Sequence, residues 1–153
     1  MPDYPALAAR IRALTEGEED TVALMATLAC EIHHSDERFD WTGFYRVVAP
    51  GLLKIGPYQG GHGCLVIPFE RGVCGAAART GRAQIVEDVE EFEGHIACSA
   101  STRAELVLPV WNGQGVLLGV LDIDSDQPGA FDEADAEALA AILAEVFGQA
   151  EPA

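Results

Sequence analysis

The sequence predicts a single α+β domain, an antiparallel sheet flanked by helices from the two ends of the chain. Three observations predict it. Apolar residues recur at the helical period near both ends. Short segments rich in aromatic and β-branched residues lie between them. The turn Asn112-Gly113-Gln114-Gly115 joins two such segments into a hairpin, which makes its strands antiparallel neighbours. At 153 residues the chain has the length of one domain, expected to span 1–153, and can bury a core without disulfide staples.

The elements follow in order, with helices expected over 1–40, the sheet and its loops over 41–131, and a final helix over 132–149. Leu7, Ile11 and Leu14 share a face of a first helix, Pro5 to Leu14, which the polar stretch ending at Gly17 breaks. Val22, Met25, Leu28, Ala29 and Ile32 form the apolar stripe of a second, from about Glu18 to His34. Trp41 to Val48, Leu52 to Tyr58 and Cys64 to Pro68 read as strands, with a glycine-heavy turn from Gln59 to Gly63. Gly72 to Arg82 is a short helix with Gly81 as its C-cap, and Ala83 to Val86 a short strand. Glu87 to Arg103 has no period and reads as a long loop, of the kind that carries function. Leu106 to Trp111 and Val116 to Ile123 are the hairpin strands. Asp132 caps a last helix whose buried stripe is Leu139, Ile142, Leu143, Val146 and Phe147.

Composition removes several function classes. Nine basic against 25 acidic residues leave a net charge of −16, so phosphate backbones and anionic membranes are repelled, and neither nucleic acid nor membrane is expected as a partner. No apolar run reaches the length of a membrane span, and the N-terminal residues lack the basic-then-apolar pattern of a secretion signal. A cytoplasmic location with reduced thiols is therefore expected.

In that setting the four cysteines invite a chemical reading. Cys30 falls inside the second helix, beside its apolar stripe, and reads as packing. Cys64, Cys74 and Cys98 fall in glycine-rich or irregular segments. Cys98, in a long polar loop, is the one most open to solvent, and such a thiol is an oxidation hazard unless it is used. One use is metal binding by His62, Cys64, Cys74, His95 and Cys98. Spacings of 10 and 24 residues without a C-x-x-C knuckle argue against it, so no metal is expected. The other use is a thiol cycle, in which one cysteine attacks and another resolves the product, and which tolerates long spacings. A second constellation is acidic. Asp122 and Asp124 lie two apart on one face of a strand, and the antiparallel partner brings Glu105 beside them. They form either a solvated strand end or an acidic pocket for a cationic group such as an ammonium. Trp41 and Tyr45 serve either as its aromatic walls or as core.

These residues carry a resemblance. Trp41-Thr42-Gly43-Phe44-Tyr45, Gly56-Pro57-Tyr58-Gln59-Gly60 with Cys64, Arg71-Gly72-Val73-Cys74-Gly75, Gly94-His95-Ile96-Ala97-Cys98, Glu105-Leu106-Val107-Leu108-Pro109 and Leu121-Asp122-Ile123-Asp124-Ser125 are similar to the free methionine-(R)-sulfoxide reductases, enzymes built on one GAF domain. The resemblance runs from about Trp41 to the final helix. It implies a GAF fold, with the terminal helices on one face of the sheet and the substrate pocket on the other. It implies reduction of free L-methionine-(R)-sulfoxide, an oxidative-stress repair, with Cys98 as nucleophile and Cys64 as main resolving cysteine. The resulting Cys64–Cys98 disulfide is recycled by thioredoxin, and the resemblance alone implies that no organic cofactor is needed. Cys74 matches a further family cysteine, Glu105, Asp122 and Asp124 match pocket carboxylates, and Trp41 and Tyr45 match an aromatic wall. A homodimer through the helical face is implied in the same way. Without turnover, the same domain would be a GAF module that binds a small ligand or senses redox state.

Overall fold

The computed structural model describes residues 1–94, 101–148 and 150. Helices α1 (Tyr4–Thr15) and α2 (Thr21–His33) precede strands β1 (Trp41–Ala49), β2 (Leu52–Gln59) and β3 (Val66–Pro68). Helix α3 (Gly72–Thr80), β4 (Gln84–Val86), the hairpin β5 (Ala104–Trp111) and β6 (Leu117–Ser125), and helix α4 (Glu133–Phe147) follow. The strands form one antiparallel sheet in the order β3-β2-β1-β6-β5-β4. The expected α+β architecture is the observed one.

Local chemistry sets the helix ends. Asp3 accepts a hydrogen bond from the Ala6 N–H at 3.1 Å, and Asp20 accepts from Val22 and Ala23, satisfying donors that a helix start leaves bare. The Asp20 cap starts α2 at Thr21 rather than at Glu18. Asp132 and Asp135 cap α4 reciprocally. Gly81 closes α3 with φ of 69°, a left-handed conformation that glycine adopts without a steric penalty. Two other boundaries differ from expectation. β3 starts at Val66, so Cys64 lies before the strand, and β5 starts at Ala104, so Glu105 sits inside its ladder. The stretch after β4 is not uniformly irregular. Val89–Glu91 forms a 3₁₀ turn, Val89 donates to the Arg103 carbonyl at 2.7 Å, and Arg103 pairs with Asp88 at 2.9 Å.

The period-two alternation of the strands divides the interior into two halves. Phe44, Leu106, Leu108, Leu121 and Ile123 face one side and pack with Leu7, Ile11, Leu28, Ile32, Leu139 and Phe147 of α1, α2 and α4. A network ties this side together. Tyr4 Oη donates to Asp135 Oδ1 at 2.7 Å, and Arg38 bridges Asp135, Asp36 and the Ala130 carbonyl. Trp41, Tyr45, Leu53, Val107 and Val120 face the other side and pack with Ile67, Val73, Cys74 and Ala77. Among the described residues α3 is the one helix that packs on that second face, and being short it leaves room for a cavity. Among the described residues, no helix is long and apolar enough to cross a membrane.

Candidate active site

A cavity of about 310 Å³ opens on the sheet face opposite the terminal helices. Its floor follows from register. β6 runs between β1 and β5, placing Asp124 between Trp41 and Glu105, and Asp122 between Gly43 and Val107. Glu105, Asp122 and Asp124 thus project together from two adjacent strands. Glu105 is 6% exposed and Asp122 is 4% exposed, which rules out a solvated strand end. The Oδ1 atoms of Asp122 and Asp124 are buried and have no hydrogen-bond partner among the described residues. Asp40 and Asp126 also line the cavity, whereas no lysine or arginine does among the described residues.

Electrostatics follow from that crowding. Burial, then the charges of Asp124 and Glu105, push the Asp122 carboxyl well above the usual carboxylate range. Burial and the Glu105 charge push Asp124 the same way. The arrangement concentrates negative potential at buried side chains. It suits a ligand ammonium, which supplies the missing donors, or a carboxyl that keeps its proton for transfer.

One wall is aromatic. The Trp41 ring stacks between Tyr45, at 5.9 Å between centroids, and Tyr58, at 5.3 Å, and its Nε1 donates to the Gly61 carbonyl at 2.7 Å. This stack needs glycine at two places. A Cβ on Gly43 would come within 2.4 Å of the Trp41 ring, and one on Gly63 within 2.9 Å of that ring and 3.0 Å of Tyr45 Oη. Tyr45 lies 2% exposed at the cavity edge, its hydroxyl held protonated by burial and then by the Asp122 charge.

The cysteines separate sharply. Cys74, on the first turn of α3, is buried and carries a free thiol. Its Sγ lies 4.0 Å from Glu105 Oε2. A helix N-terminus lowers a thiol's pKa, but here burial and the charges of Asp122 and Glu105 outweigh it and raise Cys74 well above its ordinary value. Cys64 is disulfide-bonded and half-buried against the same apolar cluster as Trp41, Tyr45 and Cys74. It cannot supply a zinc ligand in that state. The alternative metal set that the fold offers is Cys74, Glu105 and Asp122, whose ligand atoms lie within 4.8 Å of one another. Cys98 and His95 lie outside the described residues. Cys30 carries a free thiol but is only half-buried, with Sγ 3.8 Å from His34 Nδ1, so it is less enclosed than its helix position suggests.

The fold therefore gathers Trp41, Tyr45, Cys74, Glu105, Asp122 and Asp124 around one cavity, with Cys64 near but not lining it. Sequence reasoning missed Asp126, although its two-residue spacing from Asp124 continues the Asp122/Asp124 pattern. It weighed His62 only as a metal ligand, and missed Val73, Ser101 and Thr102 on the lining and the packing role of Gly43 and Gly63. The glycine-heavy run 59–63 was a visible signal for the loop, but not for the ring it lies on.

A six-stranded antiparallel sheet with the terminal helices on one face and a cavity beside a short helix on the other is the GAF architecture, and the chain matches the GAF-domain family over residues 15–150. It belongs to that family. Within it, the relatives include free methionine-R-sulfoxide reductases. The enzyme of that name from Escherichia coli is 37% identical over 143 residues, covering 94% of this chain and 86% of its own. Protein YtsP of Bacillus subtilis is 44% identical over 138 residues, covering 90% and 84%. A solved structure of the free methionine-R-sulfoxide reductase from Neisseria meningitidis in complex with its substrate superposes with a TM-score of 0.89 at 36% identity, covering 95% of this chain and 87% of that one.

Proposed function

We propose that this protein reduces free L-methionine-(R)-sulfoxide to methionine. The observation that carries the reading is the set of three clustered carboxyls at the floor of a cavity that no lysine or arginine lines among the described residues, in a chain whose relatives include reductases of that name. The substrate's ammonium would pair with the carboxylates and relieve their mutual repulsion. Backbone N–H groups of the Cys98 loop would receive its carboxylate. The Trp41 and Tyr45 rings would pack against its methyl and methylene groups.

The chemistry then proceeds in three balanced steps. The Cys98 thiol attacks the sulfoxide sulfur while a carboxyl, Glu105 or Asp124, donates a proton to the oxygen and takes the thiol's proton in its place. The substrate's sulfur–oxygen bond breaks as the hydroxyl passes to Sγ of Cys98, so methionine leaves reduced by two electrons and Cys98 becomes a sulfenic acid, oxidised by two. The Cys64 thiol condenses with it, releasing water and forming a Cys64–Cys98 disulfide. A dithiol protein of the thioredoxin class exchanges with that disulfide, returning two thiols and leaving itself oxidised. The disulfide-bonded state of Cys64 beside the free thiol of Cys74 supports this division of labour.

The test is thioredoxin-coupled NADPH oxidation with free L-methionine-(R)-sulfoxide, against the S epimer and a peptide-bound sulfoxide. R-selective turnover of the free amino acid is expected. Cys98→Ser should release no methionine, and Cys64→Ser about one equivalent before stalling, since its sulfenic acid lacks a partner. Tight binding of the sulfoxide without turnover would make the domain a ligand-binding module instead.

A further inference from the structure

The thiol cycle uses two cysteines and leaves Cys74 without a part. We propose that Cys74 is a positioning residue of this site, its S–H donating to the Glu105 and Asp122 carboxylates so that they are held to receive the substrate's ammonium, and that it takes no part in the thiol cycle. This rests on the sulfoxide-reductase reading.

Geometry carries the assignment. Cys74 Sγ lies 4.0 Å from Glu105 Oε2, at hydrogen-bonding reach for sulfur, and the Asp122 oxygen completes a triangle whose sides are all under 4.8 Å. All three groups are buried, which limits the competition of water for the two carboxylates. The thiol is enclosed by Val73, Ala77 and Val107, 4% exposed, and a protein dithiol cannot reach it. It is free in the same structure in which Cys64 is oxidised. A resolving thiol must be reached by an external reductant once its disulfide has formed, whereas a buried thiol on the first turn of α3, held against two carboxylates, is poorly placed for that exchange. What it can do is donate. A carboxylate that accepts a hydrogen bond is turned toward its donor, which fixes its other oxygen, and the buried Oδ1 of Asp122, without a hydrogen-bond partner among the described residues, is left to take a donor from a ligand. The raised pKa of the thiol keeps the proton on sulfur and agrees with this role.

Serine and valine separate the alternatives. Cys74→Ser keeps a donor of similar size, whereas Cys74→Val fills the space and offers none. Steady-state, thioredoxin-coupled reduction of free L-methionine-(R)-sulfoxide is expected to show a KM for Cys74→Ser between those of the wild type and the donor-free variant, because Oγ still donates but reaches less far than Sγ, with kcat within about twofold. For Cys74→Val, KM should rise about three- to tenfold, the span of one ordinary hydrogen bond, with kcat within about twofold. If valine crowds the site and the variant shows no cooperative melt, Cys74→Ala replaces it with the same expectation. A wild-type KM in the donor-free variant would reduce Cys74 to packing. Stalling of Cys74→Ser after about one turnover would make it a resolving thiol. Either result overturns the assignment while leaving the reductase reading intact. A wild type that does not turn over the R-sulfoxide removes both.

Discussion

Replacing Asp122 by asparagine should stabilise the empty protein and weaken the filled one. The side chain is 4% exposed, shares its floor with Asp124 and Glu105, and leaves Oδ1 without a partner. Asparagine is nearly isosteric, removes the charge, and brings an NH₂ that can donate to either neighbouring carboxylate. Relief of one buried, incompletely satisfied charge is worth about 1–2 kcal/mol, or about 2–8 °C in Tm for a domain of this size. The pH dependence is the sharper criterion. The folded-state pKa of Asp122 is raised, so its favourable contribution is complete below the unfolded value of about 3.9 and is lost as pH rises through the folded value. The advantage of Asp122→Asn over the wild type should therefore be near zero at about pH 4 and grow toward alkaline pH. Because Asp124 titrates with Asp122, the rise should be broad. Thermal melts of the reduced proteins between about pH 4 and pH 9 read it out. The same change should raise the KM for the sulfoxide at least about tenfold, the loss expected for one hydrogen bond to a charged group. A variant that melts below the wild type at alkaline pH, or a difference flat with pH, would refute the reasoning.

Three further outcomes are expected. Trp41→Phe keeps the ring but deletes the 2.7 Å bond to the Gly61 carbonyl, so it should lower Tm by about 2–4 °C and raise KM by loosening residues 59–63, as melting curves and kinetics of one preparation will show. Gly119→Ala places a Cβ within 2.0 Å of the Tyr45 carbonyl oxygen, forcing β1 and β6 apart; a loss of about 2 kcal/mol or more in urea denaturation should follow. Asp135→Asn weakens the bridge to Arg38 and the bond from Tyr4 and should cost about 2–4 kcal/mol at neutral pH. Burial pulls Asp135 upward, but Arg38 and Tyr4 outweigh it and hold the carboxyl below its ordinary range, so the wild type loses this support as pH falls through the folded value, whereas the variant's stability should be flatter there.

Much of the fold was legible because its signals are local. Capping carboxylates at Asp3, Asp20 and Asp132 and the glycine stop at Gly81 act within one turn of themselves. The errors fell where partners are distant. β5 extends to Ala104 because it pairs with Ser125 at the far end of β6, and β3 is the three residues whose ladder runs along Leu52 to Lys54. The Trp41 stack depends on glycines two and twenty-two residues away, a relation that no short window contains.

The sequence by itself determined the order of elements, the two faces of the sheet, and the placing of Asp122, Asp124, Trp41 and Tyr45 on one of them, since alternation along a strand is a property of the backbone. Only the tertiary structure decided how deeply that face is buried, that Glu105 stands opposite Asp124, and that Cys74 rather than Cys64 lies against the acids. Each of these depends on which element covers which. The thin cover that α3 and residues 59–63 give one face turns a row of strand-end charges into a buried, cation-seeking cavity.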